Sequence, residues 1–209
     1  MADLDAILWL GGAPCAGKSS VAEILVSRFD IDVYHVDEAF NTQVSRLDER
    51  AQPALLRWMT SSWDERWIRP PEVLLADVIE CYREHVSFIL EDLRTLVSNS
   101  PRVLVEGTAL LPDSIAPLLT SYERGIWLIP TQPFQEHNYA RRMWVDGILR
   151  QCADPQVAFR NWMRRDAAFA RWVARQAHNR GLTSIEIDGS RSIEQIADSV
   201  ARQFVLTKD

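Results

Sequence analysis

The sequence predicts a three-layer α/β fold, in which a five-stranded, mostly parallel sheet is wrapped on both faces by helices. Short apolar, β-branched-rich segments recur at Ala6–Leu10, Asp32–Val36, Arg102–Glu106, Gly125–Ile129 and Ser184–Ile187, with helical patterns between them. Strands that alternate with helices pair in parallel, because each crossover helix carries the chain back to the same end of the sheet. A further observation sets the domain count. No internal repeat, low-complexity tract or Gly/Ser linker interrupts the 209 residues, so residues 1–209 are expected to form one domain.

Composition narrows the function classes. Hydrophobic residues make up 47% and charged residues 25% of the chain, the proportions of a soluble globular protein with a sizeable core. The longest apolar runs, around Leu8, Val103 and Trp127, are strand-length and far short of the roughly 20 residues a bilayer span needs, so no membrane partner is expected. A net charge of −6 argues against general nucleic-acid binding, which needs a basic surface to release counterions. The acidic start at Met1–Asp5 lacks the pattern of a secretory signal, and Cys15, Cys81 and Cys152 are too scattered for a disulfide framework. Cytoplasmic residence with reduced cysteines is the expectation, and whether the chain acts as a monomer or an oligomer stays open.

The first strand runs into Gly12-Ala13-Pro14-Cys15-Ala16-Gly17-Lys18-Ser19, which fits G-x-x-x-x-G-K-[ST] at every specified position. Through Ser20 the chain then enters a helix with Val21, Ile24, Leu25 and Phe29 on one flank. Phosphate binding needs this strand-to-helix setting. Gly12 and Gly17 permit backbone angles and a close approach that a Cβ would obstruct, so N–H groups can converge on phosphates while the helix points its positive end at them. Lys18 supplies a slim charge for the β- and γ-phosphates, and Ser19 a hydroxyl for Mg²⁺. Lys18 and Lys208 are the only lysines among 23 basic residues, so a chain that otherwise uses arginine keeps lysine where a point charge is required. The expected ligand is a nucleoside triphosphate, ATP with Mg²⁺.

The second strand leads to Asp37 and the third to Glu106-Gly107, both at the carboxyl edge where ligands gather in open α/β sheets. Asp37 can orient or deprotonate an acceptor hydroxyl beyond the γ-phosphate, or cap the helix beginning at Glu38-Ala39-Phe40. Glu106 fits a Mg²⁺ ligand, an acceptor contact, or a buried carboxylate bonded to loop amides. His35, alternating with Asp37, reads as a packing residue. Residues 41–99 exceed what a crossover requires: Trp58, Trp63 and Trp67 precede a helical pattern through Val78, Ile79, Tyr82, Val86, Ile89, Leu93 and Leu96. A helical insertion over the ligand edge is expected there, its tryptophans either stacking on a ring-bearing acceptor or packing in the core.

After the fourth strand, residues 131–180 read as a lid-like helical region. Over 141–180, nine arginines against Asp146, Asp154 and Asp166 give 9 − 3 = +6 within an acidic protein. Phe159, Trp162, Met163, Phe169 and Val173 mark one flank of a helix, while Arg160, Arg164, Arg171 and Arg175 lie within about 60° of one another. Such a stripe suits clamping of phosphates, with Arg160 and Arg164 as catalytic candidates beside Arg141 and Arg142; the alternative is pairing with Glu72, Asp77, Glu80 and Glu84 of the insertion. The last strand ends in the turn Asp188-Gly189-Ser190. Ser192 and Gln195 then form a capping box for a helix through Ile196, Val200 and Phe204.

Together these pieces resemble the P-loop small-molecule kinases, the group that includes gluconate kinase, shikimate kinase, nucleoside monophosphate kinases and chloramphenicol phosphotransferase-like proteins. The likeness rests on Gly12–Ser19, Asp37, Val105-Glu106-Gly107, the arginine-rich region and the Asp188-Gly189-Ser190 turn, and it spans most of the chain. It implies the P-loop NTPase αβα fold, an acceptor held by the insertion after strand two, a lid over ATP, and Gly189 and Ser190 as neighbours of the adenine. The expected activity is transfer of the γ-phosphoryl group to a hydroxyl of a small molecule that the tryptophan-rich insertion does not identify. A non-catalytic nucleotide sensor is the alternative. The Asn-Lys-x-Asp motif that reads guanine and the Asp-Glu strand end of motor ATPases are both absent.

Overall fold

In the computed structural model, which describes residues 4–97 and 102–207, the strands are β1 (Ile7–Gly12), β2 (Asp32–His35), β3 (Val103–Glu106), β4 (Gly125–Pro130) and β5 (Thr183–Ile187). They form one sheet in the order β2-β3-β1-β4-β5, every pair parallel. Lys208 and positions 98 and 99 of the expected insertion lie outside the described residues. No helix among the described residues is long and apolar enough to cross a membrane.

Alternation along β1 sorts the core. Leu8 and Leu10 meet Val21 and Leu25 of α1 (Lys18–Arg28) and, at the other end of the chain, Ile196 and Val200 of the final helix. Ile7 and Trp9 face the opposite layer, where Ile89 and Leu93 pack beside Phe169 and Val173. Each such side chain contributes roughly 1.5–3 kcal/mol when fully buried, so apolar burial holds both helical layers on the sheet.

Two sequence-based boundaries are corrected. β2 stops at His35 and Val36 opens α2 (Val36–Gln43), so Asp37 stands in a first helical turn rather than on the strand. The capping position is His35, with no side-chain cap, which removes the capping role considered for Asp37. The insertion comprises the rest of α2, α3 (Pro53–Thr60), α4 (Trp63–Trp67) and the first half of α5 (Pro71–Leu96). The second half of α5, with Ile89 and Leu93 in the core, is the ordinary crossover onto β3. Glu84 of α5 ties the insertion down: its carboxylate accepts the N–H groups of Ala54 and Leu55 at 2.9 and 2.8 Å, serving donors that the first turn of α3 leaves unpaired.

Past β3 come the short α6 (Pro112–Ile115), then, after β4, α7 (Gln132–Tyr139), α8 (Met143–Leu149) and α9 (Pro155–His178). Most of the region read as a lid is therefore core. α9 buries Phe169, Ala170, Val173 and Ala177 against the sheet and α5, and Ala158 and Trp162 in a separate cluster with Trp67, Tyr139 and Val145. Around α8, Met143 and Trp144 are exposed. The chain closes on α10 (Ile193–Gln203), whose capping box forms as read: Ser192 Oγ accepts from Gln195 N at 3.3 Å, and Ser192 N donates to Gln195 Oε1 at 2.9 Å.

Candidate functional site

β1 is the central strand, and the chain leaves its carboxyl end between diverging neighbours, where open α/β sheets form a crevice. Gly12 takes φ 130°, and a Cβ there would stand 2.1 Å from Leu128 O. Gly17 sits at the start of α1 with φ 82°, and Cys15 adopts φ 61°, a left-handed angle that costs a non-glycine residue about 1–2 kcal/mol. The bend is fixed from outside by Gln135 of α7, buried and donating Nε2 to Pro14 O at 2.9 Å. Together Pro14, Cys15, Ala16, Gly17, Lys18, Ser19 and Ser20 line a cavity of about 200 Å³, closed by Asp37, Thr108 and Arg142.

Lys18 is 7% exposed, and its Nζ donates to Ala13 O at 3.0 Å and Thr108 Oγ1 at 3.2 Å. Burial pulls its pKa below the usual lysine range, while Asp37 and Glu106 push back. Ser19 Oγ donates to Glu106 Oε1 at 3.1 Å. The same oxygen lies 2.7 Å from His35 Nδ1, since the β2–β3 register sets His35 opposite Glu106. His35 is thus a partner of the buried carboxylate rather than mere packing. A hydroxyl beside a carboxylate is a hard-oxygen set that fits Mg²⁺. No group of three or more His, Cys, Asp or Glu among the described residues could hold a metal ion.

A second cavity, of about 360 Å³, adjoins the first and shares Pro14, Asp37, Thr108 and Arg142 with it. Its far walls are aromatic. Trp67 stacks on Trp162 with ring centroids 3.9 Å apart, and Trp58 meets Trp67 edge-on at 5.6 Å. Trp67 is core that doubles as wall, Trp58 is half-buried on the cavity, and Trp63 lies off it beneath the Arg66 guanidinium. His85 joins this wall in a defined tautomer. Gln43 Nε2 donates to Tyr34 Oη at 3.0 Å and Asp92 Oδ2 at 2.6 Å, so its oxygen, 2.6 Å from His85 Nε2, must receive the imidazole proton. Burial drives the His85 pKa down to about 4, leaving a neutral ring with Nδ1 as its acceptor. Tyr82 also lines the cavity, and its hydroxyl has no hydrogen-bond partner among the described residues.

The arginines do not fall as the stripe suggested. Arg160 and Arg164 are exposed on the outer face of α9, Arg141 is exposed before α8, and none of the three lines either cavity. Arg164 and Arg171 border a surface cleft beside Glu72 instead. Of the acids in the alternative pairing, Asp77 and Glu80 pair with Arg57 and Arg69 and Glu84 serves α3, which leaves Glu72 beside Arg164 and Arg171. The arginines at the site are Arg142, which borders both cavities, and Arg165, which lines the aromatic one. Arg165 escaped the sequence reading, although a signal existed: Trp162, Arg165, Asp166, Phe169 and Val173 follow the spacing of the buried stripe, so two charged residues occupy apolar positions. Gly189, at φ 88°, packs against Phe134, and Ser190 Oγ donates to Asp188 Oδ1 at 2.6 Å. Neither lines either of these two cavities, but Ile193 just beyond them approaches Gly17.

No family model matches the chain, and no curated protein matches its sequence. Among solved structures it is similar to TT1252 from Thermus thermophilus, with 19% identity, a TM-score of 0.48, and coverage of 94% of this chain and 96% of that one. It is also similar to a shikimate kinase from Acinetobacter baumannii in complex with shikimate, with 15% identity, a TM-score of 0.40, and coverage of 96% and 93%. Similarity this distant carries no functional argument; the geometry of the two cavities does.

Proposed function

We propose that the chain is an ATP-dependent phosphotransferase that moves the γ-phosphoryl group to a hydroxyl of a small molecule. One observation carries the reading: the phosphate cavity at Pro14–Ser20 and the aromatic cavity share a wall made by Pro14, Asp37, Thr108 and Arg142. A donor in the first and an acceptor in the second would meet at that wall, which is the arrangement direct transfer needs. A nucleotide sensor has use for the first cavity alone.

In this reading the loop N–H groups and Lys18 hold the β- and γ-phosphates, and Asp37 orients the acceptor hydroxyl and takes its proton. The bond from the γ-phosphorus to the bridging oxygen breaks as the bond from the acceptor oxygen forms, and ADP leaves with the former pair of electrons. Arg142, at the shared wall, stabilises charge on the transferring group. Ser19 and Glu106 are the residues that would hold Mg²⁺, which when bound neutralises phosphate charge. Gly189 and Ser190 are assigned the adenine end, on their position beside α10 and the loop. Cytoplasmic residence belongs to the same proposal, on the three free cysteines and the need for ATP.

The test is an ADP-release screen against a library of hydroxyl compounds. Acceptor-dependent turnover is expected; ATP bound without turnover for any acceptor would favour the sensor.

A further inference from the structure

We infer that His35 is a positioning residue for the metal: its Nδ1–H, held on Glu106 Oε1, fixes the carboxylate that would meet Mg²⁺ and so sets the affinity of the site for the ion. The inference rests on the assignment of Ser19 and Glu106 as the residues that would hold Mg²⁺, and not on transfer to any acceptor.

Glu106 ends β3 and is 4% exposed. The parallel register sets His35, the last residue of β2, opposite it, so both side chains leave the sheet on the same face. His35 Nδ1 lies 2.7 Å from Glu106 Oε1, and since a carboxylate oxygen only accepts, Nδ1 carries the proton. Ser19 Oγ donates to the same oxygen at 3.1 Å. Both donors therefore fall on Oε1. Oε2 accepts from no described residue, yet it is not among the buried polar atoms shut off without a partner. It is the open oxygen of an otherwise enclosed carboxylate. Ser19, having given its proton to Glu106, keeps oxygen lone pairs for a cation.

Other uses of His35 are closed off. It stands at the capping position of α2, but its side chain makes no capping bond. With 26% of the side chain exposed, the imidazole is not core either. Its contribution is the shorter of the two bonds on Glu106. The last torsion of a glutamate is broad, so a single hydroxyl bond leaves the carboxylate plane loosely set, and a second donor locks it. Groups that orient a metal ligand in this way are worth about tenfold to a hundredfold in metal affinity.

Mn²⁺ is the probe, because its free form is counted directly by electron paramagnetic resonance. The full chain is titrated with Mn²⁺ at saturating ADP, and ADP affinity is measured separately by calorimetry in EDTA. His35→Leu should weaken Mn²⁺ binding about tenfold to a hundredfold, with metal-free ADP affinity unchanged. His35→Asn, whose amide N–H replaces Nδ1–H, should restore most of the loss. In a Glu106→Ala background His35→Leu should add nothing, because the imidazole acts through that carboxylate. Should His35→Leu not fold, His35→Phe, which keeps a ring without the donor, should show the same loss. Undiminished Mn²⁺ affinity, no recovery in His35→Asn, an equal loss without Glu106, or a matching fall in metal-free ADP affinity would each overturn the inference. Parent protein that binds ADP but no Mn²⁺ would overturn it too. Acceptor-dependent turnover with a metal affinity indifferent to His35 would overturn it and leave phosphotransfer standing. The expected Mn²⁺ losses in a protein with no such turnover would instead sink phosphotransfer and leave His35 in its role.

Discussion

The two halves of the cleft are built from different materials. The half proposed to hold phosphate is nine consecutive positions, Gly12 to Ser20, shaped by backbone angles around one lysine. The half proposed to hold the acceptor gathers side chains from α2, α3, α4, α5 and α9, including Asp37, Trp58, Trp67, His85, Trp162 and Arg165. A phosphate is the same ligand wherever it occurs, so a fixed stretch of main chain suffices to hold it. An acceptor differs from enzyme to enzyme, and selectivity is set by side chains that only tertiary packing brings together.

Lys18→Ala breaks the first half outright and has the largest expected effect. Nucleotide affinity or turnover should fall about a hundredfold to a thousandfold, read by calorimetry and ADP release. Unchanged ATP binding and activity would mean that the loop is not a phosphate site. Asp37→Asn separates the halves. Transfer should drop about a hundredfold while ATP affinity stays near the parent value. Undiminished transfer would leave Asp37 as a bystander at the shared wall, and the two cavities without a chemical link.

Legibility followed the same division. Gly12 to Ser19 could be read because every requirement falls within one run of sequence, and the strands because alternation of apolar segments survives without tertiary information. Glu106 was legible as a strand end, but its bonds to Ser19 and His35 depend on the β2–β3 register, which no spacing states. The arginines were misassigned for a physical reason. A helical wheel shows which residues share a face but not which face meets the cavity, and the exposed set of Arg160, Arg164, Arg171 and Arg175 was more conspicuous than Arg165 within the apolar stripe.

The acceptor half also carries a pH dependence on the acid side of neutrality. His85 has its pKa lowered from 6.5 to about 4 by burial, against an upward push from Asp37 and Asp92. Between those values the unfolded chain binds a proton that the folded chain refuses, so stability present at neutral pH is lost as pH falls through about 6.5 toward 4. From pH 7 to 5 the loss should be about 2 kcal/mol, measured by urea unfolding. His85→Gln retains a donor for Gln43 and should flatten this part of the profile. A variant whose profile parallels the parent would place the pH dependence elsewhere.

The smallest effects sharpen the comparison at its boundary. Arg142 stands on the wall common to both cavities, so Arg142→Ala should reduce transfer about tenfold and weaken both ligands. Arg160 and Arg164 are exposed and make no ion pair among the described residues, so the double variant Arg160→Ala/Arg164→Ala should alter turnover less than twofold and stability by within about 0.5 kcal/mol. The contrast tests where the cleft ends, because all three residues belong to the same basic stretch of sequence and differ only in which surface they meet. Loss of transfer in the double variant would mean that the outer face of α9 approaches the phosphates during turnover. The site would then have a third, mobile wall, and the arginine stripe would regain the clamping role that its position in this structure denies it.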